Sequence, residues 1–306
     1  MPRTSIPMGV VEAFMRRFRG VPVKLTPLVH GEESQAYGFV EQGRELVLRV
    51  SRSKKNFEKD ALAYRSFGRP DLPIPRVIEI GNLDGRHAFC ISPRASGITL
   101  QDLSPEEIGN TLAATVDVMQ AIERSNLAEI GGFGRFDEQG VGDYRSWHDY
   151  LTSVSDPSFY DWPSTASVVG EDRVAPLLTR MLALAERCPE VRRLVHGDFG
   201  SNNVFSDGVF SDNCCITGVI DWSEAMVGDP LYDVANIFFW RTWLNCMEQL
   251  ARFLEPHLDR DEDTMARLLC YQLHIGLREI YSSAKAGRTT AASWALNRTE
   301  EIMQQR

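Results

Sequence analysis

The chain lacks several features that would place it in a broad class of protein. No apolar stretch approaches the ~20 residues that a membrane-spanning helix needs. Its six cysteines include no C-x-x-C pair, so a structural zinc site is not expected. Basic residues are outnumbered, with 33 Lys and Arg against 42 Asp and Glu. The formal charge of −9 argues against a nucleic-acid-binding surface. It mildly favours cationic small partners, although on charge alone a generic acidic soluble enzyme is the better interpretation.

The first residues also lack the pattern of a secretory signal. Val11, Phe14, Met15 and Phe18 follow one another at helical spacing, and charged residues interrupt the run. This pattern is typical of an amphipathic helix and not of the apolar core of a signal peptide. We therefore expect a cytoplasmic protein whose cysteines are reduced thiols.

The order of periodic segments predicts an α+β fold with two lobes in its 306 residues. After the N-terminal helix, short strands and one further helix follow up to about residue 93, and we expect residues 1–95 to form a small antiparallel-sheet N-lobe that binds nucleotide. Their segments are "PVKLTPLV", "SQAYGFVE", "ELVLRV", the helical "NFEKDALAYRSFG", and "RVIEIG" and "HAFCIS" around an Asp-Gly turn. The Pro- and Gly-containing "PRASG" then predicts a hinge.

Residues 96–306 are expected to form a larger, mainly helical C-lobe. Ser104-Pro105-Glu106-Glu107 is a capping box that predicts a long helix ending near Arg124. Further helices are predicted near 172–187, 233–254, 263–286 and 290–304. One strand pair, from "LVHGDF" to "CCITGVIDW", is predicted to interrupt them.

Three oxygen-bearing side chains surround that strand pair. In "HGDFGSNNV", Asn203 comes five positions after Asp198, and Asp221 comes 23 positions after Asp198, at the end of an apolar strand. A hairpin of this length would bring its two ends, and hence the three side chains, together. Two carboxylates and an amide oxygen suit Mg²⁺ and substrate phosphates, and a carboxylate could also accept a proton from a hydroxyl group. The alternative is a plain polar turn, because Gly, Asp and Asn form turns routinely.

The same segment resembles a known family. Asp198 to Asn203 fit the D-x-x-x-x-N pattern of kinase catalytic loops, and "HGDFGSNN", "IDW" and "GDPLYDVA" are similar to the aminoglycoside phosphotransferases. Within that family, "TLQDL", "VIDWSEAM" and "VANIFFWR" resemble members that phosphorylate hygromycin B. The resemblance implies a protein-kinase-like two-lobe fold and a monomeric O-phosphotransferase that uses ATP and Mg²⁺, with GTP left open. It would inactivate an aminoglycoside antibiotic, hygromycin B in particular, by phosphorylating a ring hydroxyl.

The resemblance also implies roles for residues of this motif. Asp198 would be the catalytic residue, and Asn203 and Asp221 would hold the metal. Asp233 would brace the catalytic loop, with a helix N-cap as the alternative, and His196 would orient the backbone around Asp198, with a core histidine as the alternative. Asp229 is interpreted as structural support.

The nucleotide side has a weaker pattern. "HGEESQAY" lies where the family covers the phosphates but contains a single glycine, Gly31, and no G-x-G-x-x-G. Ser34 is a candidate phosphate contact, with a plain hairpin turn as the alternative. Arg49 stands where kinases carry a strand lysine, and it can still bind phosphate. Asp60 is the chosen acidic partner of Arg49, and Glu58 is its rival.

The predicted acceptor site uses residues after the catalytic loop. Asn202 could bind a hydroxyl group, Glu224 an ammonium group, and Trp240 and Trp243 a sugar face, although tryptophans at helical spacing also suit core packing. Two other functions stay open: a kinase of a macrolide, sugar, choline or homoserine, and a nucleotide-binding module without activity. A protein kinase is disfavoured, because the short stretch from Asp221 to Asp229 leaves no room for an activation segment.

Overall fold

The computed structural model describes residues 6–28, 34–207 and 214–304. An antiparallel sheet occupies the N-terminal part of the chain, and most of the helices follow it. The predicted two-lobe α+β organisation is confirmed. The boundary between residues 95 and 96 stays a prediction.

The N-terminal sheet has five strands in the order β1-β2-β3-β5-β4, and every neighbouring pair is antiparallel. Gln42 and Gly43 connect the second and third strands with φ of 52° and 75°, the positive values that tight two-residue hairpin turns require. The strands and two helices of this part are β1 (Thr26–Pro27), β2 (Ser34–Glu41), β3 (Arg44–Ser51), β4 (Glu79–Asn82), β5 (Ala88–Pro93), α1 (Met8–Arg19) and α2 (Lys54–Phe67).

The two N-terminal helices form as the sequence predicts. In α1, Val11, Phe14 and Met15 are buried and share a core with apolar residues of the sheet, including Leu48. The helix α2 begins at an N-cap, Ser53, whose hydroxyl accepts a hydrogen bond from the Asn56 amide. It packs between the sheet and the turn at residues 221–225, so it joins the two parts of the molecule.

The C-terminal part contains eight helices in the described residues, and the predicted capping box of Ser104 and Glu107 is present at the first of them. The helices are α3 (Pro105–Glu123), α4 (Trp147–Thr152), α5 (Ala166–Val169), α6 (Glu171–Ala185), α7 (Leu231–Trp240), α8 (Asn245–Leu254), α9 (Glu262–Lys285) and α10 (Thr289–Gln304). The short strands are β6 (Ile98–Thr99), β7 (Phe133–Phe136), β8 (Gly142–Tyr144), β9 (Arg193–Val195), β10 (Val204–Ser206), β11 (Ile216–Val219) and β12 (Met226–Gly228).

The predicted single strand pair is wrong in its partners. The strand before the catalytic loop, β9, pairs with β12, whereas β11 pairs with β10, which follows the loop. Two small sheets result, β11-β10-β6 and β8-β7-β12-β9. The catalytic loop therefore connects two sheets, and backbone pairing fixes it at both ends.

The predicted helix over 233–254 is also wrong, because two helices, α7 and α8, occupy that stretch. Arg298 of α10 is buried and donates hydrogen bonds from Nη2 to the Phe238 carbonyl (2.9 Å) and from Nε to the Phe239 carbonyl (3.1 Å). These bonds satisfy carbonyl groups at the end of α7 that a continuous helix would have used. A residue far along the chain therefore helps to end the helix.

The connection into the C-terminal part, around Gly97, lies close against the hairpin of β10 and β11. Strand β6 pairs with β10 through Thr99 and Phe205. Gly97 has φ of +87°, and a side chain there would collide with the Ser206 backbone. Among the described residues, no helix is long and apolar enough to cross a membrane.

Candidate active site

The catalytic loop holds Asp198 and Asn203 against each other. The Asn203 Nδ2 group donates hydrogen bonds to Asp198 Oδ2 (2.8 Å) and to the Asp198 carbonyl (2.9 Å). The backbone of Asn203 is fixed in turn, because the Ile220 amide donates to its carbonyl (2.9 Å). Asn203 is buried, whereas the Asp198 side chain is exposed. One oxygen of Asp198, Oδ1, therefore stays available for a substrate.

His196 fixes the shape of this loop from below. Its Nδ1 accepts a hydrogen bond from the Asp198 amide (3.3 Å), and its Nε2 lies 3.1 Å from the Ile220 carbonyl. The ring must therefore be neutral, with its proton on Nε2. Burial lowers the pKa of His196 to about 4, which agrees with this protonation state.

Asp233 and Asp229 are both engaged with protein groups. Asp233, in the first turn of α7, accepts hydrogen bonds from the His196 and Gly197 amides, each at 2.8 Å. Asp229 accepts from Arg267 Nη2 at 2.6 Å and from the Tyr271 hydroxyl at 2.8 Å. Asp233 thus contacts the backbone of the catalytic loop, while Asp229 ties the start of α7 to α9.

Asp221 follows β11 in a left-handed conformation, with φ of 60°. Its Oδ1 accepts a hydrogen bond from the Ser223 hydroxyl at 2.7 Å. The adjacent Ile220 is bonded to Asn203, so the hairpin brings Asp221 and Asn203 to the same end, as its length predicts. The Asp221 side chain is exposed and lines the cleft between the two parts of the molecule.

These donors fit a magnesium ion. The side-chain nitrogen of Asn203 donates to Asp198, so the side-chain oxygen of Asn203 could bind a cation. Asp221 would contribute Oδ2, because its Oδ1 accepts from Ser223. Within residues 6–28, 34–207 and 214–304, no group of three or more His, Cys, Asp or Glu side chains could hold a metal ion. Phosphate oxygens and water would therefore complete the coordination, as is usual for Mg²⁺.

The electrostatics of the loop agree with such a site. Desolvation of the carboxyl group by the surrounding protein, followed by the negative charges of Asp221 and Glu224, raises the pKa of Asp198 to about 7. A bound divalent cation would offset this repulsion between carboxylates.

The cleft beside Asp221 has a volume of about 390 Å³. Its lining includes residues 92–95 and the apolar residues Val47, Ile98, Phe205, Val219 and Ile220. Ser34, Arg49, Asp60 and Asn202 also lie in its lining, together with Asn203 and Asp221. An apolar recess beside clustered charges suits a nucleotide base and its phosphates.

Arg49 forms an ion pair with Asp60 at 2.7 Å, whereas the rival Glu58 pairs with Lys54. Asp60 also accepts a hydrogen bond from the Trp222 amide (3.0 Å), next to Asp221. The phosphate-covering stretch predicted around Gly31 lies outside the described residues. Ser34, at its end, begins β2.

Glu224 is already paired on both oxygens. Its Oε1 lies 2.9 Å from Arg135 Nη1, and its Oε2 lies 2.6 Å from Arg278 Nη2. Burial alone would raise the pKa of Glu224, but Arg278 and Arg135 outweigh it and hold the pKa well below its usual range. Any ammonium group at Glu224 would therefore compete with two guanidinium groups.

The two predicted tryptophans belong to a cluster with α10. Trp240 is half-buried and stacks on Trp294 with 5.0 Å between ring centroids. Trp243 meets Trp294 edge-on at 4.7 Å and is 53% exposed. Neither residue belongs to the lining of the cleft. Stacking on Trp294 gives Trp240 a packing role. The predicted contact of Trp240 and Trp243 with the acceptor stays a prediction.

Sequence reasoning missed Lys59, Arg135 and Arg278. Lys59 is a buried lysine of α2 that contacts the turn after Asp221, and the two arginines enclose Glu224. Lys59 stands in a helix with alternating charges, and Arg135 stands in a glycine-rich stretch, so both resemble solvated surface residues in the sequence. No local pattern distinguishes them.

Comparisons with known proteins agree with this geometry. The chain is 43% identical to the hygromycin-B 4-O-kinase of Escherichia coli over 307 residues, which cover 99% of this chain and 87% of that protein. The crystal structure of aminoglycoside phosphotransferase APH(4)-Ia matches with a TM-score of 0.89 and 43% identity, covering 97% of this chain and 99% of that one. A thermostable mutant of that enzyme, solved with AMP-PNP and hygromycin B, matches with a TM-score of 0.89 and 44% identity, covering 96% and 98% of the two chains.

The fold is kinase-like, as the resemblance implies. The model of the phosphotransferase enzyme family, APH, matches residues 24–271, which include the nucleotide cleft, the catalytic loop and most of the helices that support them. With relatives above 40% identity along nearly its whole length, the chain belongs to that family of phosphotransferases.

Proposed function

We propose that the protein is an ATP-dependent O-phosphotransferase that inactivates hygromycin B by phosphorylating one of its ring hydroxyls. The observation that carries this proposal is the convergence of Asp198, Asn203 and Asp221 at one end of a cleft with an apolar recess. The similarity to a hygromycin-B 4-O-kinase supports the choice of acceptor.

Asp198 is the proposed catalytic residue. Asn203 and Asp221 line the cleft, whereas Asp198 lies beside Asn203 and outside that lining, where an acceptor would meet the γ-phosphate. Its free oxygen orients the acceptor hydroxyl and takes the hydroxyl proton as the acceptor oxygen bonds to phosphorus. The bond between the γ-phosphorus and the bridging oxygen breaks, and ADP leaves with that electron pair.

The surrounding residues keep Asp198 in position. His196 accepts from the Asp198 amide, Asp233 holds two backbone amides of the loop, and Asn203 fixes Oδ2 of the carboxylate. A magnesium ion at Asn203 and Asp221 would neutralise charge on the β- and γ-phosphates.

On the nucleotide side, Arg49 is the proposed phosphate contact, held in the cleft by Asp60. Ser34 lines the same cleft, which supports it as a second proposed phosphate contact through its hydroxyl group. The apolar wall and the backbone of residues 92–95 suit adenine. ATP is the proposed donor, and a comparison of ATP with GTP in the assay below tests that choice.

On the acceptor side, we assign Asn202 and Glu224, with Trp243 as the exposed aromatic ring and Trp240 behind it. Arg135 and Arg278 change the charge expected around Glu224, because two guanidinium groups and one carboxylate leave a net positive charge there. This observation favours acceptors with few ammonium groups. A second candidate function is therefore a kinase of a less cationic metabolite, such as a sugar. The proposed enzyme acts as a monomer in the cytoplasm.

The test is an ADP-release assay with hygromycin B, kanamycin, gentamicin, choline and a hexose in parallel, each with ATP and with GTP. Expression in a sensitive bacterium accompanies it. We expect turnover and protection with hygromycin B. Turnover with another acceptor, and none with hygromycin B, would overturn the substrate while leaving the phosphotransferase assignment.

Two variants test the assigned roles. Asp198→Asn should lower kcat by roughly 10²–10⁴-fold and leave ATP binding nearly intact. Asp117→Asn makes the same change on the exposed face of α3 and serves as the control. Asp221→Ala should abolish the Mg²⁺ dependence of AMP-PNP binding. An Asp198→Asn enzyme within tenfold of the wild type, or persistent Mg²⁺ dependence in Asp221→Ala, would refute the respective role.

A further inference from the structure

Lys59 is a buried lysine for which the proposed reaction has no use. It lies in α2 and is only 5% exposed. Its ammonium group donates hydrogen bonds to the carbonyls of Ser223 and Ala225, each at 2.8 Å. It also lies 4.5 Å from the centroid of the Phe136 ring, a cation–π contact. Burying an ammonium group is costly, so these contacts must hold the side chain in one place.

The two carbonyls belong to the turn that begins at Asp221. A residue other than glycine rarely adopts the left-handed conformation that Asp221 has, and such a conformation persists only where the surrounding structure fixes it. Within the turn itself, the Ser223 hydroxyl and amide both donate to the Asp221 carboxylate, and the Ala225 amide donates to the Trp222 carbonyl. Further constraints come from helix α2, outside the turn.

Helix α2 supplies those constraints through two consecutive residues. Asp60 accepts a hydrogen bond from the Trp222 amide (3.0 Å), while Lys59 donates to the carbonyls on either side of Glu224. The helix therefore holds one N–H group and two C=O groups of the same five-residue turn. Because Asp60 also pairs with Arg49, one end of this arrangement reaches the nucleotide cleft.

We infer that Lys59 is a positioning residue for the metal site: it holds the Asp221–Ala225 turn so that the Asp221 carboxylate faces the nucleotide cleft. Lys59 is not part of the lining of the nucleotide cleft, and its hydrogen bonds go to backbone carbonyls of the turn, so the inferred action is through the backbone. The inference rests on the proposed role of Asp221 as a magnesium ligand.

The principal variant is Lys59→Met, which keeps an unbranched side chain of similar length and removes the donor. Lys55→Met is the matched control, because it makes the same change in α2 at an exposed side chain that pairs with Glu138 at the surface. Calorimetry would measure AMP-PNP binding across a Mg²⁺ titration, and steady-state kinetics would give the Mg²⁺ concentration for half-maximal rate. The KM for hygromycin B is measured alongside.

We expect Lys59→Met to raise the half-saturating Mg²⁺ concentration in both measurements by about tenfold, the usual effect of losing a group that orients a metal ligand. AMP-PNP binding without Mg²⁺ and the KM for the acceptor should change less than twofold. Lys55→Met should match the wild type. A residue with a purely structural role would lower the melting temperature and leave the Mg²⁺ dependence of the folded enzyme unchanged.

A second variant keeps the test decisive if Lys59→Met does not fold. Lys59→Gln retains a neutral donor that can satisfy one carbonyl, so its Mg²⁺ requirement should lie between those of the wild type and Lys59→Met. Wild-type Mg²⁺ dependence in folded Lys59→Gln or Lys59→Met overturns the inference. If the proposed Mg²⁺-dependent use of ATP were itself wrong, wild-type AMP-PNP binding would not depend on Mg²⁺, an outcome that these measurements report separately.

Discussion

Acid should destabilise the protein through His196, and the structure sets the size of the effect. The ring is fully buried and uses both nitrogens, which requires the neutral form. Burial lowers its pKa from 6.5 to about 4. Below pH 6.5 the imidazole of His196 binds a proton in the unfolded chain, whereas in the folded protein it stays neutral down to about pH 4. Stability present above pH 6.5 is therefore lost as the pH falls toward 4, and the loss between pH 7.5 and 5.0 is about 2 kcal/mol.

The measurement is the free energy of unfolding in urea at pH 7.5, 6.0 and 5.0 for the wild type and His196→Gln. Glutamine removes the titrating group, so between pH 7.5 and 5.0 the unfolding free energy of the variant should change by about 2 kcal/mol more in the stabilising direction than that of the wild type. The comparison is necessary because raised pKa values at Asp198 and Asp233 contribute with the opposite sign in both proteins.

His148→Gln is the control, since His148 is partly exposed and pairs with Glu186 on the surface. Its unfolding free energy should depend on pH as that of the wild type does. Equal pH dependence of the wild type and His196→Gln would refute the argument, because it would mean that His196 is charged in the folded protein or titrates normally there. In that case the Asp198 amide could not donate to its ring.

Three further predictions concern the nucleotide, the acceptor and the loop. Arg49→Lys should raise the KM for ATP several-fold at nearly unchanged stability, whereas Arg49→Ala should also cost about 3 kcal/mol in urea unfolding, because it leaves Asp60 buried without its cation. Arg135→Gln removes a positive charge beside Glu224, so the inhibition constant of neomycin should fall by about three- to tenfold relative to the KM for hygromycin B. Arg187 is a surface arginine that also pairs with two carboxylates, and Arg187→Gln should leave this ratio unchanged. Asp233→Asn should lower kcat by about tenfold with little change in the KM for ATP, because an amide oxygen cannot replace both carboxylate acceptors.

The sequence predicts that Asp198, Asn203 and Asp221 come together, because the information for that arrangement is local. Asp198 and Asn203 are neighbours on one loop, and a single hairpin returns the chain to Asp221. The sheet of the N-terminal part is predictable for the same reason, since alternation in β2 and β3 and a tight turn between them specify a hairpin. In each case the partners lie within a few tens of residues.

Features that depend on distant partners could not be predicted. Arg298 ends α7 through bonds to residues 59 and 60 positions away. Arg278 neutralises Glu224 from 54 positions away, and Lys59 reaches Ser223 across 164 positions. The charged side chains of these residues give the usual signal of a solvated surface, because helical periodicity reports a buried face and not the identity of its partner.

The structure also separates acidic residues that the sequence presents as equivalent. Six carboxylates lie in or near the site: Asp60, Asp198, Asp221, Glu224, Asp229 and Asp233. Four of them are satisfied by cations or by backbone N–H groups of the protein. Asp198 and Asp221 form no ion pair within the described residues: Asp198 accepts from the Asn203 amide, Asp221 accepts from the hydroxyl and amide of Ser223, and both side chains are exposed. An ionised carboxylate left without a charged partner at a cleft raises the free energy of the unliganded protein, and a cation or a proton donor from the substrate can supply what is missing. Asp198 and Asp221 are therefore the two acids for which we propose, respectively, acceptance of a proton and binding of the metal.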